Sequence, residues 1–242
     1  GQISFFRRHF GQVTSDWKAD ASRVTFADIA ISENLFSSLN QDFAKDDFCS
    51  EEMSSDDSPM HLESEFAWVL DPIDGTNNFA LGFPLCGISL GLLHEGFPVY
   101  GFVYDFSVNA LFEGGPGFGL LRDQKKFATL GNDRESRQMI GVQFPMEPSL
   151  CQKLSPIFSD FKIRALGTST LLSSFVAQAY LVGALDVRAK VWDIASTYAF
   201  AEAVGNKFHF LNESPFPLRE FHPSMPQCPY FTGNKENKKK IE

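Results

Sequence analysis

The sequence predicts a mixed α/β protein in which helices pack on sheets, and three observations carry that prediction. Residues 24–41 hold Val24, Ile29, Leu35, Phe36 and Leu39 between polar residues, the spacing of an amphipathic helix. Residues 66–70 form a short apolar run that stops at Asp71, as a buried strand does. Strand-like segments then follow one another from Cys86 to Phe112, and two apolar helical stretches, 168–182 and 192–204, come later. Elements of both kinds in this order bury their apolar faces by stacking helices on sheets.

Each element has local signals. Thr25 is placed to cap the first long helix, with Asp28 in its first turn. A polar stretch, 42–65, contains the acidic run Ser50-Glu51-Glu52 and an expected flexible loop at 54–59. Pro72 and Gly75 turn the chain after the buried strand. Strands are expected at 88–93, 99–104 and 110–112, with a turn at Glu95-Gly96, as an antiparallel meander closed by glycines 114–119. A polar linker at 131–137 divides an N-terminal half, residues 1–137, from a C-terminal half, 138–242. The second half opens with a strand at 139–144, a helix at 150–158 and a strand at 162–166. The lysine-rich run 235–240 reads as a solvated helix face or tail.

Composition excludes several classes of function. A net charge of −9 argues against a nucleic acid polymer, which needs an excess of Lys and Arg on one face. It leaves a small phosphate ligand open, because bound cations reverse the sign of a site. No apolar run approaches the ~18 residues of a membrane span. The start lacks a signal-peptide pattern, and Gly1 opens on what reads as the end of a helix, so residues are expected to precede it. The cysteines Cys49, Cys86, Cys151 and Cys228 form no CxxC pair, which points to reduced thiols and a cytoplasmic setting. The 26 phenylalanines predict an aromatic core. His61, His94, His209 and His222 lack metal-ligand spacing.

Chemistry concentrates in Trp68-Val69-Leu70-Asp71-Pro72-Ile73-Asp74-Gly75-Thr76-Asn77-Asn78-Phe79. A buried strand ends in two carboxylates with a proline and a glycine around the turn, so Asp71 and Asp74 can converge on one point. Hard oxygen ligands of this kind suit magnesium held together with substrate phosphate. Gly75 and Thr76 would open the next helix and offer free amides to a phosphate. A bare Asp-x-x-Asp-Gly also makes an ordinary capped turn.

The segment Asp71-Pro72-Ile73-Asp74-Gly75-Thr76-x-Asn78-Phe79 resembles the signature of the inositol monophosphatase family, one of the lithium-sensitive phosphatases that include fructose-1,6-bisphosphatases. Trp192-Asp193-Ile194-Ala195, followed by Glu202-Ala203-Val204-Gly205, resembles the family's second motif. Lys18-x-Asp20, Val24-Thr25-x-x-Asp28, Ser50-Glu51-Glu52 and Gly167-Thr168-Ser169 extend the likeness in family order. It implies a layered αβαβα sandwich of the sugar-phosphatase type, a homodimer, and two to three magnesium ions with inhibition by lithium. The implied metal ligands are Glu51, Asp71, the carbonyl of Ile73, Asp74 and Asp193. Glu51 would also help to position the attacking water, and Thr76 with Asp28 would orient or deprotonate it. Gly75 and Thr76 would hold the phosphate, with Asp74, Gly167 and Thr168 around the substrate. Carboxylates at 28, 51, 71, 74 and 193 repel one another too strongly to share a buried site without cations.

The likeness weakens before Trp192, where the segment 183–191 is short. Asp186 is there either the acidic residue that grips sugar hydroxyls or a structural aspartate. Arg188 and Lys190 are placed to meet a second phosphate or another anionic group. Ser50 and Val204 stand where the family usually has glycine. The implied reaction is hydrolysis of a small phosphorylated metabolite, an inositol-phosphate-like polyol phosphate. Histidinol phosphate, fructose 1,6-bisphosphate and adenosine 3′,5′-bisphosphate are alternatives with the same chemistry. A regulatory or scaffold protein on the same fold is the alternative of another class, and its mark, a missing metal carboxylate, is not seen.

Overall fold

The computed structural model describes residues 1–17, 23–53, 58–128 and 139–233. Lys18, Asp20, the linker 131–137 and the run 235–240 lie outside them, as do residues 54–57 of the expected loop. The first elements are α1 (Gln2–His9), β1 (Asp16–Trp17), β2 (Arg23–Val24), α2 (Phe26–Asp42), β3 (Asp47–Ser50) and β4 (Met60–His61). There follow β5 (Phe66–Asp74), α3 (Thr76–Leu81), β6 (Gly87–His94), β7 (Phe97–Asp105), β8 (Ala110–Gly115), β9 (Gly119–Arg122) and β10 (Lys125–Lys126). The later residues form β11 (Met139–Val142), α4 (Pro148–Asp160), β12 (Lys162–Arg164), α5 (Ser169–Ala177) and β13 (Gly183–Asp186). The last are α6 (Val191–Val204), β14 (Lys207–Phe210), β15 (Glu220–Phe221) and β16 (Tyr230–Gly233).

These elements stack as five layers. A seven-stranded sheet runs in the order β10-β9-β8-β7-β6-β5-β3, antiparallel except where β3 joins β5. A five-stranded sheet runs β12-β11-β13-β16-β14, with β16 antiparallel to both neighbours. Helices α1 and α2 cover the outer face of the larger sheet, where Phe6 and Ile31 meet Leu70, Ile88 and Tyr104. Helices α5 and α6 fill the space between the sheets, and α4 lies on the far face of the smaller one. This is the αβαβα order that the resemblance implies. The middle-layer helix α6 is buried on every side, from Val191 and Trp192 to Phe200 and Ala201, as a helix enclosed by two sheets must be.

Strand β5 corrects one expectation and explains the site. It does not stop at Asp71 but continues to Asp74, with one extra residue bulged between them. Pro72 has no amide to give a ladder, and a bulge is where an interior strand tolerates it. The bulge also resets side-chain parity. Ala67 and Val69 face the middle helices, while Trp68, Leu70 and Ile73 face the outer layer. Carboxylates three residues apart would leave a regular strand on opposite faces. The inserted residue returns Asp74 to the side of Asp71.

Other differences are local. The helix expected at 168–182 ends at Ala177, and Ala179 takes a left-handed φ of 61° where the chain turns into β13. Its apolar pattern ran on because the turn and strand that follow are buried too, Leu181 among them. The strands expected at 139–144 and 162–166 end at Val142 and Arg164. The helix expected at 150–158 extends to Pro148–Asp160. Thr25 caps α2 as expected: its hydroxyl accepts from the Ala27 amide at 3.1 Å, and Asp28 Oδ2 accepts from the Thr25 amide at 2.7 Å.

Two paired glycines, Gly91 on β6 and Gly101 on β7, form the seat of α6. A Cβ on Gly101 would lie 2.3 Å from the Ser196 carbonyl oxygen, and one on Gly91 would lie 2.7 Å from Ala195 Cβ. The helix therefore rests on bare backbone, and Ser196 Oγ bonds Ser89 Oγ at 2.7 Å beside it. Gly101→Ala is expected to cost at least about 1–3 kcal/mol, because a rigid middle layer must move to admit the methyl group. Denaturant unfolding checks this, and an unchanged midpoint would mean that the helix is not seated as described.

Candidate active site

A cleft of about 630 Å³ opens where β5, α3, α5 and α6 meet. Its lining includes Glu51, Asp71, Ile73, Asp74, Gly75, Thr76, Gly167, Arg188, Lys190 and Asp193. On its floor Asp71, Asp74 and Asp193 each turn a carboxylate oxygen to within 4.8 Å of the others. Two come from the bulged strand and the third from the first turn of α6, so segments far apart in sequence converge as the motifs suggest.

Each carboxylate is held by donors that fix its direction. Asp74 is fastened to the start of α5: Oδ1 accepts from the Ser169 amide at 3.2 Å, and Oδ2 from the Thr170 amide at 2.7 Å and the Thr168 hydroxyl. The helix dipole favours this placement of negative charge. Asp193 Oδ2 accepts from the Lys190 amide at 2.7 Å. Asp71 Oδ1 accepts from the Ile73 amide at 3.1 Å, which tightens the bulge. The Thr170 hydroxyl donates to the Asp193 carbonyl at 3.0 Å and so ties α5 to α6.

Asp28 combines two tasks. Its Oδ2 takes the Thr25 amide and hydroxyl of the helix cap, while Oδ1 lies 3.3 Å from the Thr76 hydroxyl. That hydroxyl is also 2.9 Å from the Ile73 carbonyl oxygen and, with one proton, donates to one partner at a time. Glu51 reaches the cleft from the end of β3, and its amide bonds the Leu70 carbonyl at 3.2 Å. Ser50 steadies that turn, its hydroxyl accepting from the Glu52 amide at 3.2 Å and from Ser32 Oγ at 2.7 Å.

Thr168 and Asp186 are not among the residues that line the cleft. Thr168 is buried against Asp74 and caps α5 through the Leu171 amide at 3.3 Å. Asp186 is fully buried behind the cleft wall. Its oxygens accept from Ser169 Oγ at 2.6 Å, the Arg188 amide at 2.8 Å and the Ala189 amide at 3.1 Å. Sequence reasoning did not find Asn78 as a clamp, although it falls inside the motif: its Nδ2 donates to the carbonyls of Leu85 and Leu166 at 2.7 and 2.8 Å. Nor did it find Trp17, exposed at the rim with the Arg23 guanidinium 4.3 Å above its ring.

Burial, then the charges of Glu51, Asp74, Asp193 and Asp28, pushes the Asp71 carboxyl well above the usual aspartate range. Asp193 is pushed up by burial first and then by Asp74. Burial also raises Asp74, against the pull of its hydroxyl and amide donors. A buried cluster of acids that resists ionisation, with oxygen atoms converging on one point, fits a hard divalent cation.

Fold and floor together define a layered α/β protein with a carboxylate centre suited to divalent cations. The sequence matches the inositol monophosphatase family over residues 4–241, and the chain belongs to that family. A probable inositol 1-monophosphatase from Mycobacterium tuberculosis is 34% identical over 155 residues, covering 60% of this chain and 57% of that protein. A fructose-1,6-bisphosphatase/inositol-1-monophosphatase from Aquifex aeolicus is 26% identical, covering 91% of this chain and 84% of that protein. Among solved structures, an inositol monophosphatase/NADP phosphatase complexed with Mg2+ and phosphate has a TM-score of 0.81 at 23% identity, covering 99% of this chain and 88% of that one.

The raised carboxyls carry a sign. Folded values above unfolded ones mean that the folded state binds more protons, so cation-free stability from this cluster falls as pH rises above the ordinary aspartate value of 3.8. Chelated protein is expected to melt at a lower temperature at about pH 8 than at about pH 5.5, and excess magnesium should shrink or reverse that difference. Parallel melting curves with chelator and with magnesium would rule out cation binding by this cluster.

Proposed function

We propose that this protein is a magnesium-dependent phosphomonoesterase acting on a small phosphorylated metabolite, an inositol-phosphate-like polyol phosphate. The observation that carries this reading is the convergence of Asp71, Asp74 and Asp193 on the cleft floor beside the start of α3. Glu51, Asp71, the Ile73 carbonyl, Asp74 and Asp193 would hold two to three magnesium ions. When bound, these supply positive charge to the phosphoryl oxygens and lower the pKa of water.

The chain's own groups then have separate tasks. The Thr76 hydroxyl donates to Asp28 Oδ1 at 3.3 Å, and with Asp28 as acceptor the pair is suited to orienting a water and taking its proton. Gly75 and Thr76 line the cleft, and their amides would hold phosphate oxygens. Gly167 lines the cleft beside Gly75, and Thr168 acts through Asp74. The halves 1–137 and 138–242 would work as one catalytic unit, because the carboxylates come from both. A cytoplasmic homodimer completes the reading, supported by the family resemblance. No helix among the described residues is long and apolar enough to cross a membrane.

Phosphate release is expected to require magnesium and to be inhibited by lithium. A panel of inositol 1-phosphate, histidinol phosphate, fructose 1,6-bisphosphate and adenosine 3′,5′-bisphosphate ranks the substrates. Absence of magnesium-dependent release across the panel would overturn the reading in favour of a scaffold protein on this fold. Asp193→Asn is expected to lower turnover more than about 100-fold, since even groups that only orient metal ligands are worth about 10–100-fold. Thr168→Val, which leaves Asp74 without one of its donors, should weaken the response to magnesium by about 10–100-fold. Magnesium titration of initial rates separates the two effects.

A further inference from the structure

The cleft has chemically opposite surfaces. Its floor is acidic, whereas the side furnished by the second half of the chain presents Gln143, Arg188, Lys190 and Gln227. Asp186, the residue there that might have gripped a hydroxyl, is turned inward. By accepting the Arg188 and Ala189 amides it folds the chain into a tight turn between β13 and α6. Arg188 lines the cleft from that turn. Among the described residues, its guanidinium meets no hydrogen-bond acceptor and no carboxylate within ion-pair distance.

The neighbours reinforce the contrast. Lys190 Nζ donates to the Met225 carbonyl and stands 5.8 Å from the Trp192 ring, which pins an ammonium to the same wall with further protons to give. Gln143 Oε1 is buried without a partner, and turning the amide over presents two donors there instead. A guanidinium stays charged at any working pH and matches the paired oxygens of a carboxylate or phosphate. The Asp186 carboxylate behind the turn feels the Arg188 charge but makes no ion pair with it, and a neutral polyol offers this wall only hydroxyls.

We infer that this wall is a second anion subsite, so the preferred substrate is a phosphate monoester whose alcohol carries a second anionic group, phosphate or carboxylate. The inference rests on the phosphomonoesterase reading, keeps its chemistry and replaces its neutral polyol with an alcohol that is itself anionic. It moves preference away from an uncharged ring alcohol and assigns the choice to Arg188.

The test compares the wild type with Arg188→Gln and Arg188→Lys, each first checked for an intact fold by circular dichroism. The probes are inositol 1-phosphate, 3-phosphoglycerate and fructose 1,6-bisphosphate, all with magnesium. Arg188→Gln should lower kcat/KM for one or both doubly anionic substrates at least about tenfold more than for inositol 1-phosphate, the worth of one charge-assisted contact. Arg188→Lys should restore much of the difference. Whether 3-phosphoglycerate or fructose 1,6-bisphosphate responds more tells a carboxylate from a phosphate site. An equal change for all three substrates, or none, overturns the subsite. If no substrate is hydrolysed, the phosphatase reading fails, yet calorimetric titration of fructose 1,6-bisphosphate into magnesium-loaded wild type and Arg188→Gln still decides the subsite. Binding weakened about tenfold supports it, and equal affinity overturns it.

Discussion

Carboxylates crowd together on the cleft floor, and much of the architecture is arranged around that repulsion. Two unit charges 4.8 Å apart repel by about 3–4 kcal/mol at an effective dielectric constant near 20. Three such pairs approach the whole stability of an ordinary domain. Burial and this repulsion hold the Asp71 and Asp193 carboxyls well above the usual aspartate range, and hydrogen-bond donors aim each acid. The start of α5 grips Asp74, the turn before α6 grips Asp193, and the bulge amide grips Asp71. Both helix starts belong to the middle layer, so the layer that fills the core also constrains the chemistry.

That arrangement depends on close packing away from the floor. Helix α6 carries Asp193 at its beginning and rests a little further along on the glycines of β6 and β7. Hydroxyls complete the join: Ser89 with Ser196, Ser173 with Thr197 at 2.8 Å, and Thr170 with the Asp193 carbonyl. Small side chains let the layers approach, and their hydroxyls keep the buried backbone satisfied. Part of the aromatic excess lies on the other side of the larger sheet, where Phe6, Phe10, Phe79 and Phe106 stack between α1 and the strands.

Much of this was legible in the sequence because chemistry and periodicity were local. The cap at Thr25 and Asp28, the strand into Asp71 and the helix from Trp192 each announce themselves within a few residues. Ordered motifs pointed to Asp193 joining Asp71 and Asp74, which the fold does bring together. The rest needed distance. Nothing near Thr168 says that its hydroxyl serves Asp74 rather than a ligand, and nothing near Asp186 decides between an inward and an outward carboxylate. Strands β14 and β16 were missed because Lys207–Phe210 and Tyr230–Gly233 are too short and mixed to show a clear alternation. The helix at 168–182 was drawn too long because burial continued where helical geometry had stopped.

The extra residue in β5 also makes chain length itself part of the site. Elsewhere along the sheet an insertion or deletion can be absorbed in a turn, as surface connections commonly allow. Between Asp71 and Asp74 no such slack exists, because losing or gaining one residue would send one of the two floor carboxylates to the opposite side of the strand. Removing one residue at Pro72 or Ile73 would therefore take a carboxylate off the floor as surely as replacing Asp74, with every acidic side chain still present.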